Sequence, residues 1–169
     1  MTTDNDKLHE LVAAANQPPT EAPVAARKLE ALLAFRAGSR VFAADAGHVH
    51  EVVVSGSITP VPTARPYILG ITLVRGRVVP VVSLGELLGF AGSDEAAPTL
   101  PRLLIVREGA LEVALMADTT LGLFDIDVMS LGASPRAEIA GEIEFRGKLL
   151  VVLSVPELLR SITSDRGAH

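Results

Sequence analysis

The chain has 169 residues, of which 49% are hydrophobic, and a formal net charge of −5. It contains no cysteine and no tryptophan, which excludes disulfides and thiolate chemistry. Aromatic residues are scarce and no basic run occurs, so the composition predicts that the protein does not bind nucleic acid. The aliphatic composition suits β-sheets, and the polar N-terminus with no long apolar span predicts a cytoplasmic protein.

Three regions are predicted along the chain. Residues 1–28 form an N-terminal tail, in which a short helix could run from Asp6 to Asn16. The proline-rich stretch 17–23 interrupts regular structure, which favours a disordered tail over a docking helix. A compact domain is predicted over residues 29–163, followed by a C-terminal tail at residues 164–169.

The first half of the domain predicts five strands and a short helix. Gly76 suits the tight turn between the fourth and fifth strands, because glycine adopts a positive φ without steric cost. Pro80 cannot donate a hydrogen bond, which predicts that the fifth strand is an edge strand or carries a bulge. The predicted strands cover residues 32–37, 40–44, 67–74 and 77–82, and residues 46–54 form either one strand or a short helix followed by a strand. The predicted helix covers 85–90.

The second half repeats this order of elements. The predicted strands cover residues 103–107, 111–117, 121–128, 143–145 and 148–153. Pro156 is well placed in the first turn of a closing helix over residues 157–162. This spacing of turns indicates about ten short strands. Two small barrels are the natural way to protect the edges of so many short strands from pairing with other chains.

The two halves also share sequence at one fixed offset. Residues 73–88 align with residues 144–159, and the Arg-Gly pair of the first segment returns in the second. The offset is 71 residues, and it also aligns residues 32–38 with residues 103–109. A constant offset across separate segments indicates an internal duplication, and the seam between two such units is a candidate place for a ligand or partner.

Catalytic and metal-binding patterns have little support in this sequence. His48 and His50 are two residues apart and would share a strand face, but no further ligands stand near them to complete a zinc site. Asp125 and Asp127 also share a strand face, which favours a solvated surface over a pair of catalytic carboxylates across a cleft. No phosphate-binding loop or nucleophile elbow occurs, so we expect no enzyme activity, no cofactor and no metal.

Arg75 and Arg146 occupy the two predicted hairpin tips. Arg75 follows a nearly uninterrupted apolar run, residues 67–74, which predicts either a strand buried on both faces or one that ends at an apolar groove. An arginine there can lay its methylenes on apolar surface while its guanidinium meets a carboxylate or carbonyl. For Arg146 a solvated turn residue is the favoured interpretation.

Residues 67–84, together with residues 58–62, 33–38 and 145–154, closely resemble the signature of CheW-like domains. The resemblance covers about residues 30–160. It implies an all-β fold with short helices, in which two SH3-like five-stranded β-barrel subdomains flank a hydrophobic groove. It also implies a non-enzymatic adaptor that couples methyl-accepting chemotaxis receptors to the regulatory domain of the histidine kinase CheA. Contact with the membrane would then be indirect, through receptors in arrays at its inner face.

Three positions carry over from the family as receptor-binding residues: Arg75, Val49 and Gly70. Two positions depart from the family pattern. Leu73 stands where the family usually has Asn, and Ser83 stands where it usually has Asp. Each departure removes hydrogen-bonding capacity, which could mark a specialised receptor or weaker coupling. Two alternatives stay open: a CheW-like scaffold in another signalling or motility array, and a β-barrel protein that binds a small ligand or substrate at the seam.

Overall fold

The computed structural model describes residues 26–90 and 100–164. Ten strands and two α-helices lie within them, and they follow the predicted order. The possible helix from Asp6 to Asn16 and the proline-rich stretch lie outside the described residues. The strands are β1 Leu29–Ala37, β2 Arg40–Asp45, β3 Val49–Val54, β4 Ile68–Val74, β5 Arg77–Val82, β6 Arg102–Glu108, β7 Leu111–Ala117, β8 Thr119–Asp127, β9 Ile139–Phe145 and β10 Lys148–Leu153.

One helix follows the second hairpin of each half. Helix α1 covers Leu84–Leu88, and its N-cap Ser83 accepts a hydrogen bond from the backbone N–H of Glu86. Helix α2 covers Val155–Ser164, with Leu158, Leu159 and Ile162 buried. No helix in residues 26–90 or 100–164 is long and apolar enough to cross a membrane.

The strands form two five-stranded sheets with matching order. Barrel A has the order β8-β1-β2-β10-β9, and barrel B has the order β3-β6-β7-β5-β4. Each strand of the first repeat has its equivalent 71 residues later in the other barrel, and the register agrees as well. Leu32 pairs with Phe124 in barrel A, for example, and Leu103 pairs with Val53 in barrel B. The duplication read from the sequence is therefore a pseudo-symmetry of the fold.

The sequence repeat and the barrel do not coincide, however. The β1–β2 hairpin of the first repeat pairs with β8 and β10 of the second repeat. The β6–β7 hairpin of the second repeat pairs in turn with β3 and β5 of the first. Each barrel thus contains strands of both repeats, so neither repeat can complete a barrel alone.

Three apolar clusters hold this arrangement together. The largest lies between the barrels and joins both sheets to both helices, with Phe35, Phe42, Leu104, Leu115 and Leu158 fully buried. The seam between the repeats is therefore a packed core. A smaller cluster fills each barrel, around Leu150 in barrel A and around Ile105 in barrel B.

The prediction for β5 was wrong, and one of the two alternatives for β4 is excluded. Strand β5 lies between β7 and β4, so Pro80 is not on an edge strand. The parallel pairing of β5 with β7 begins only at Val81, directly after Pro80, which has no N–H to donate. The register irregularity lies in β4, near Gly70, so β5 does not carry the bulge. Strand β4 is the edge strand, and its side chains alternate between buried and partly or fully exposed, so it is not buried on both faces.

Candidate functional site

The Arg75-Gly76 turn joins β4 to β5 in a tight hairpin. Both residues have positive φ, 47° and 80°, and the equivalent residues Arg146 and Gly147 have φ of 51° and 75°. This backbone twist matches that of the flanking antiparallel strands. The prediction that the two arginines occupy equivalent hairpin tips is confirmed.

Arg75 is held by a carboxylate from the opposite edge of barrel B. Its Nε donates to Oε2 of Glu51 at 2.7 Å, although its side chain is 77% exposed. The carboxylate is only 14% exposed, so the ion pair places a fixed guanidinium face towards solvent. The hydrogen bond from Arg75 is the main cause that lowers the pKa of the Glu51 carboxyl below its ordinary value.

The ion pair continues into a network of alternating charge. Nη2 of Arg77 lies 3.6 Å from Oε1 of Glu51, and its Nη1 lies 3.1 Å from Oε2 of Glu112. Arg107 closes the far end, with Nε 3.0 Å from the same oxygen of Glu112. The network links β3, β5, β6 and β7, so it braces the barrel at its Arg-Gly end.

Exposed apolar side chains flank Arg75. Leu73 and Val78 pair across the β4–β5 hairpin and are 69% and 65% exposed. A fixed charge beside two exposed apolar side chains is typical of protein contact surfaces, where arginine and large apolar groups act as anchors. Leu73 therefore adds exposed apolar surface next to Arg75.

The two other predicted site residues have clear structural roles. Val49 begins β3, is half-buried and packs against the inter-barrel core. Gly70 is buried in β4 with φ of 150°, and a Cβ at this position would lie 2.4 Å from the carbonyl oxygen of Thr59. Close backbone approach therefore explains the glycine. The same holds for its equivalent Gly141, where a Cβ would lie 2.6 Å from the carbonyl oxygen of Gly132.

The remaining candidates do not assemble into one site. His48 lies in the turn before β3, with Nε2 2.9 Å from Oε2 of Glu108, while the exposed His50 is the irregular residue of β3. Asp127 caps the short turn after β8 by accepting from the backbone N–H of Met129, and it also accepts from the backbone N–H of Lys28. Asp125 is exposed. Ser83 caps α1, a role that an aspartate can also fill.

A cleft of about 650 Å³ opens at the rim of the seam. Ile68, Pro80 and Val113 of barrel B line one side, and Leu159 and Ile162 of α2 line the other. Neither Val49 nor Arg75 lines it, so the structure does not join the three predicted positions into one cavity.

Sequence reasoning missed Glu51, which orients Arg75. The two residues are 24 positions apart in the sequence. They become neighbours only because the fold brings the β4–β5 turn close to β3, the opposite edge strand of barrel B. The two repeats differ at this position, since the equivalent of Glu51 is Gly122, and this difference could have identified Glu51 from the sequence. A charge at a position where the other repeat has glycine indicates a role specific to the first repeat.

Comparisons with known proteins agree with this architecture. The CheW-like domain model matches residues 31–163. The chemotaxis protein CheW of Thermotoga maritima is 26% identical over 141 residues, covering 80% of this chain and 91% of that protein. Protein FrzA of Myxococcus xanthus is 33% identical over 111 residues, covering 65% and 68%.

A solved structure supports the fold. The scaffolding protein TtCheW from Thermoanaerobacter tengcongensis superimposes with a TM-score of 0.65 at 24% identity, covering 75% of this chain and 90% of that one. The family match itself spans nearly all of the described residues, including both Arg-Gly hairpins. The chain therefore belongs to the CheW-like domain family, whose members are coupling and scaffold proteins rather than enzymes.

Proposed function

We propose that this chain couples methyl-accepting chemotaxis receptors to the histidine kinase CheA in the cytoplasm, at receptor arrays on the inner face of the membrane. The receptor's helical hairpin tip binds beside the Arg75 hairpin, and the kinase regulatory domain binds a separate surface. Holding both partners on one scaffold raises their effective concentration and fixes their geometry, so coupling needs no chemistry of its own.

One observation carries the receptor part of this proposal: Arg75 is exposed, yet fixed by Glu51 and flanked by exposed Leu73 and Val78. A guanidinium that is already oriented loses less side-chain entropy when it binds a partner's carboxylate or carbonyl. Val49 and Gly70 contribute to receptor binding by shaping the strands that carry this surface. Gly70 acts through the backbone, because it has no side chain to offer.

The test is binding of the Arg75→Ala variant to a receptor tip fragment and, separately, to the CheA regulatory domain. We expect receptor binding to weaken about thirtyfold, since loss of a charged interface anchor costs about 2 kcal/mol. Kinase binding should stay close to wild type, and the melting temperature should fall only slightly, because the Glu51 carboxylate loses one of its cationic partners. Leu73→Ser, at an exposed neighbouring position, should weaken receptor binding to a smaller degree.

Arg146→Ala is the matched control, because it occupies the equivalent turn in barrel A without the Glu51 contact. Equal losses for both arginines, or no loss for either, would refute a receptor site at the Arg75 hairpin. A loss of kinase binding alone would assign this surface to the other partner.

The relatives support one further candidate. They include Protein FrzA and Protein PilI of Pseudomonas aeruginosa beside the chemotaxis proteins. The same scaffold could therefore serve a signalling array other than chemotaxis. Deleting the gene and measuring both chemotaxis and surface motility distinguishes the two, since each predicts a defect in a different behaviour.

A further inference from the structure

The duplicated hairpins carry two cations each, but only one pair is neutralised within its barrel. Arg75 and Arg77 of barrel B pair with Glu51 and Glu112. Their equivalents in barrel A are Arg146 and Lys148. Barrel B thus provides an internal reference for what this hairpin does with its charges.

Barrel A lacks both carboxylates of that reference. Gly122 stands at the position of Glu51, and Val41 stands at the position of Glu112. Gly122 has φ of 122° at a register irregularity, a conformation that a glutamate would adopt only with strain. Within residues 26–90 and 100–164, neither Arg146 nor Lys148 forms an ion pair, although Arg146 contacts aromatic rings.

An apolar cavity lies directly beneath these two cations. Its volume is about 260 Å³, and Val41, Leu150, Phe124 and Phe145 form its apolar walls. The two phenylalanine rings lie 4.8 Å apart. The guanidinium of Arg146 lies 4.7 Å from the centre of the Phe124 ring and 5.3 Å from that of Phe145.

The cavity therefore combines an apolar floor with a positive rim. Lys148 is the second cation of its lining, and no carboxylate contributes to it. Stacking on the two rings holds Arg146 over the opening without neutralising it. The volume lies below the usual range of drug-sized sites, about 300–1,000 Å³, so the cavity fits a small ligand.

We propose that this mouth of barrel A binds a small apolar monocarboxylate, an aromatic or branched aliphatic acid. The carboxylate lies between Arg146 and Lys148 and takes the place that Glu51 and Glu112 occupy in barrel B. The apolar body packs on Phe124 and Phe145. The site is separate from the Arg75 hairpin, so it does not depend on the coupling function proposed above.

The test is an NMR titration of the full chain with phenylacetate as the probe. We expect saturable amide shifts confined to residues near 121–124 and 145–150, with a Kd at or below about 1 mM. Phenethylamine and 2-phenylethanol carry the same ring with a positive or neutral head, and they should bind at least about tenfold more weakly, a difference of about 1.4 kcal/mol.

Three variants locate the site. Arg146→Gln and Lys148→Gln each remove one positive charge from an exposed side chain and should weaken phenylacetate binding about tenfold. Arg160→Gln removes an exposed arginine from α2 and should leave binding unchanged. Melting temperatures check that each variant is folded, and Lys148→Gln gives the same answer if Arg146→Gln is unstable.

Several results would overturn the proposal. Absence of saturation, equally strong binding of phenethylamine, or shifts centred on another surface would each do so. Unchanged affinity in both the Arg146 and Lys148 variants would show that the cations do not recognise the acid. Loss of receptor or kinase binding in the Arg75 variant has no bearing on this result.

Discussion

Gly70→Ala separates a backbone role of this glycine from a direct contact with a receptor. The new methyl group would lie 2.4 Å from the carbonyl oxygen of Thr59 and 2.8 Å from Cγ2 of Ile58, at a φ of 150°. Backbone strain of this kind costs about 1–3 kcal/mol, and a clash that displaces the neighbouring strand costs about 1–3 kcal/mol more. We therefore expect a loss of about 3 kcal/mol of stability, or a fall in Tm of about 6–12 °C.

Urea unfolding of Gly70→Ala and Gly56→Ala measures this difference. A Cβ at Gly56 meets no atom within 4 Å, so its alanine variant should lie within about 0.5 kcal/mol of wild type. Because Gly70 acts on receptor binding only through the backbone, receptor binding by Gly70→Ala should weaken only together with a loss of stability. A wild-type unfolding midpoint combined with lost receptor binding would refute the backbone explanation and favour a direct contact at Gly70.

Two further predictions concern charge and packing. The Arg75 hydrogen bond lowers the pKa of Glu51, so this contact stabilises the fold at neutral pH. The stabilisation is fully present above the ordinary pKa of glutamate and is lost as the pH falls from there through the lowered pKa of Glu51. NMR titration of the Glu51 carboxyl should give a higher pKa in Arg75→Ala than in wild type, and equal values would contradict the ion pair. Leu158→Ala, in the fully buried inter-barrel core, should lose about 2–5 kcal/mol in urea unfolding. Leu73→Ala, at an exposed position, should stay within about 0.5 kcal/mol, and similar losses for both would contradict the burial pattern.

Local signals in the sequence were sufficient for the elements and for their duplication. Glycine at the tips of the hairpins, alternating apolar residues and the proline at the start of α2 each act within a few residues, so they predict turns, strands and a helix start directly. The order of elements and the 71-residue offset agree with the observed strands. The offset also predicted the equivalence of Arg75 and Arg146, since both tips need the same backbone conformation.

The prediction for β5 failed, as did the alternative in which β4 is buried on both faces, because both depend on which strands become neighbours. The residue type of Pro80 cannot reveal that β7 lies beside β5 and begins to pair with it only after the proline. The apolar residues of β4 cannot reveal that this strand forms an edge, with Leu69 and Leu73 left exposed. An apolar strand has the same sequence pattern whether solvent or a partner covers its outer face.

The sequence by itself determined the β-rich class, the duplication, the two Arg-Gly hairpins and the family. Only the tertiary structure decided that each barrel combines strands of both repeats, that the seam is a packed core, and that Glu51 orients Arg75. These features arise from contacts between residues far apart in the chain, where the gain from burying apolar surface selects one pairing of strands among several with similar local patterns. The difference between the two hairpins has the same origin, because each arginine meets what the opposite edge of its barrel provides: the Glu51 carboxylate in barrel B and the Phe124 ring in barrel A.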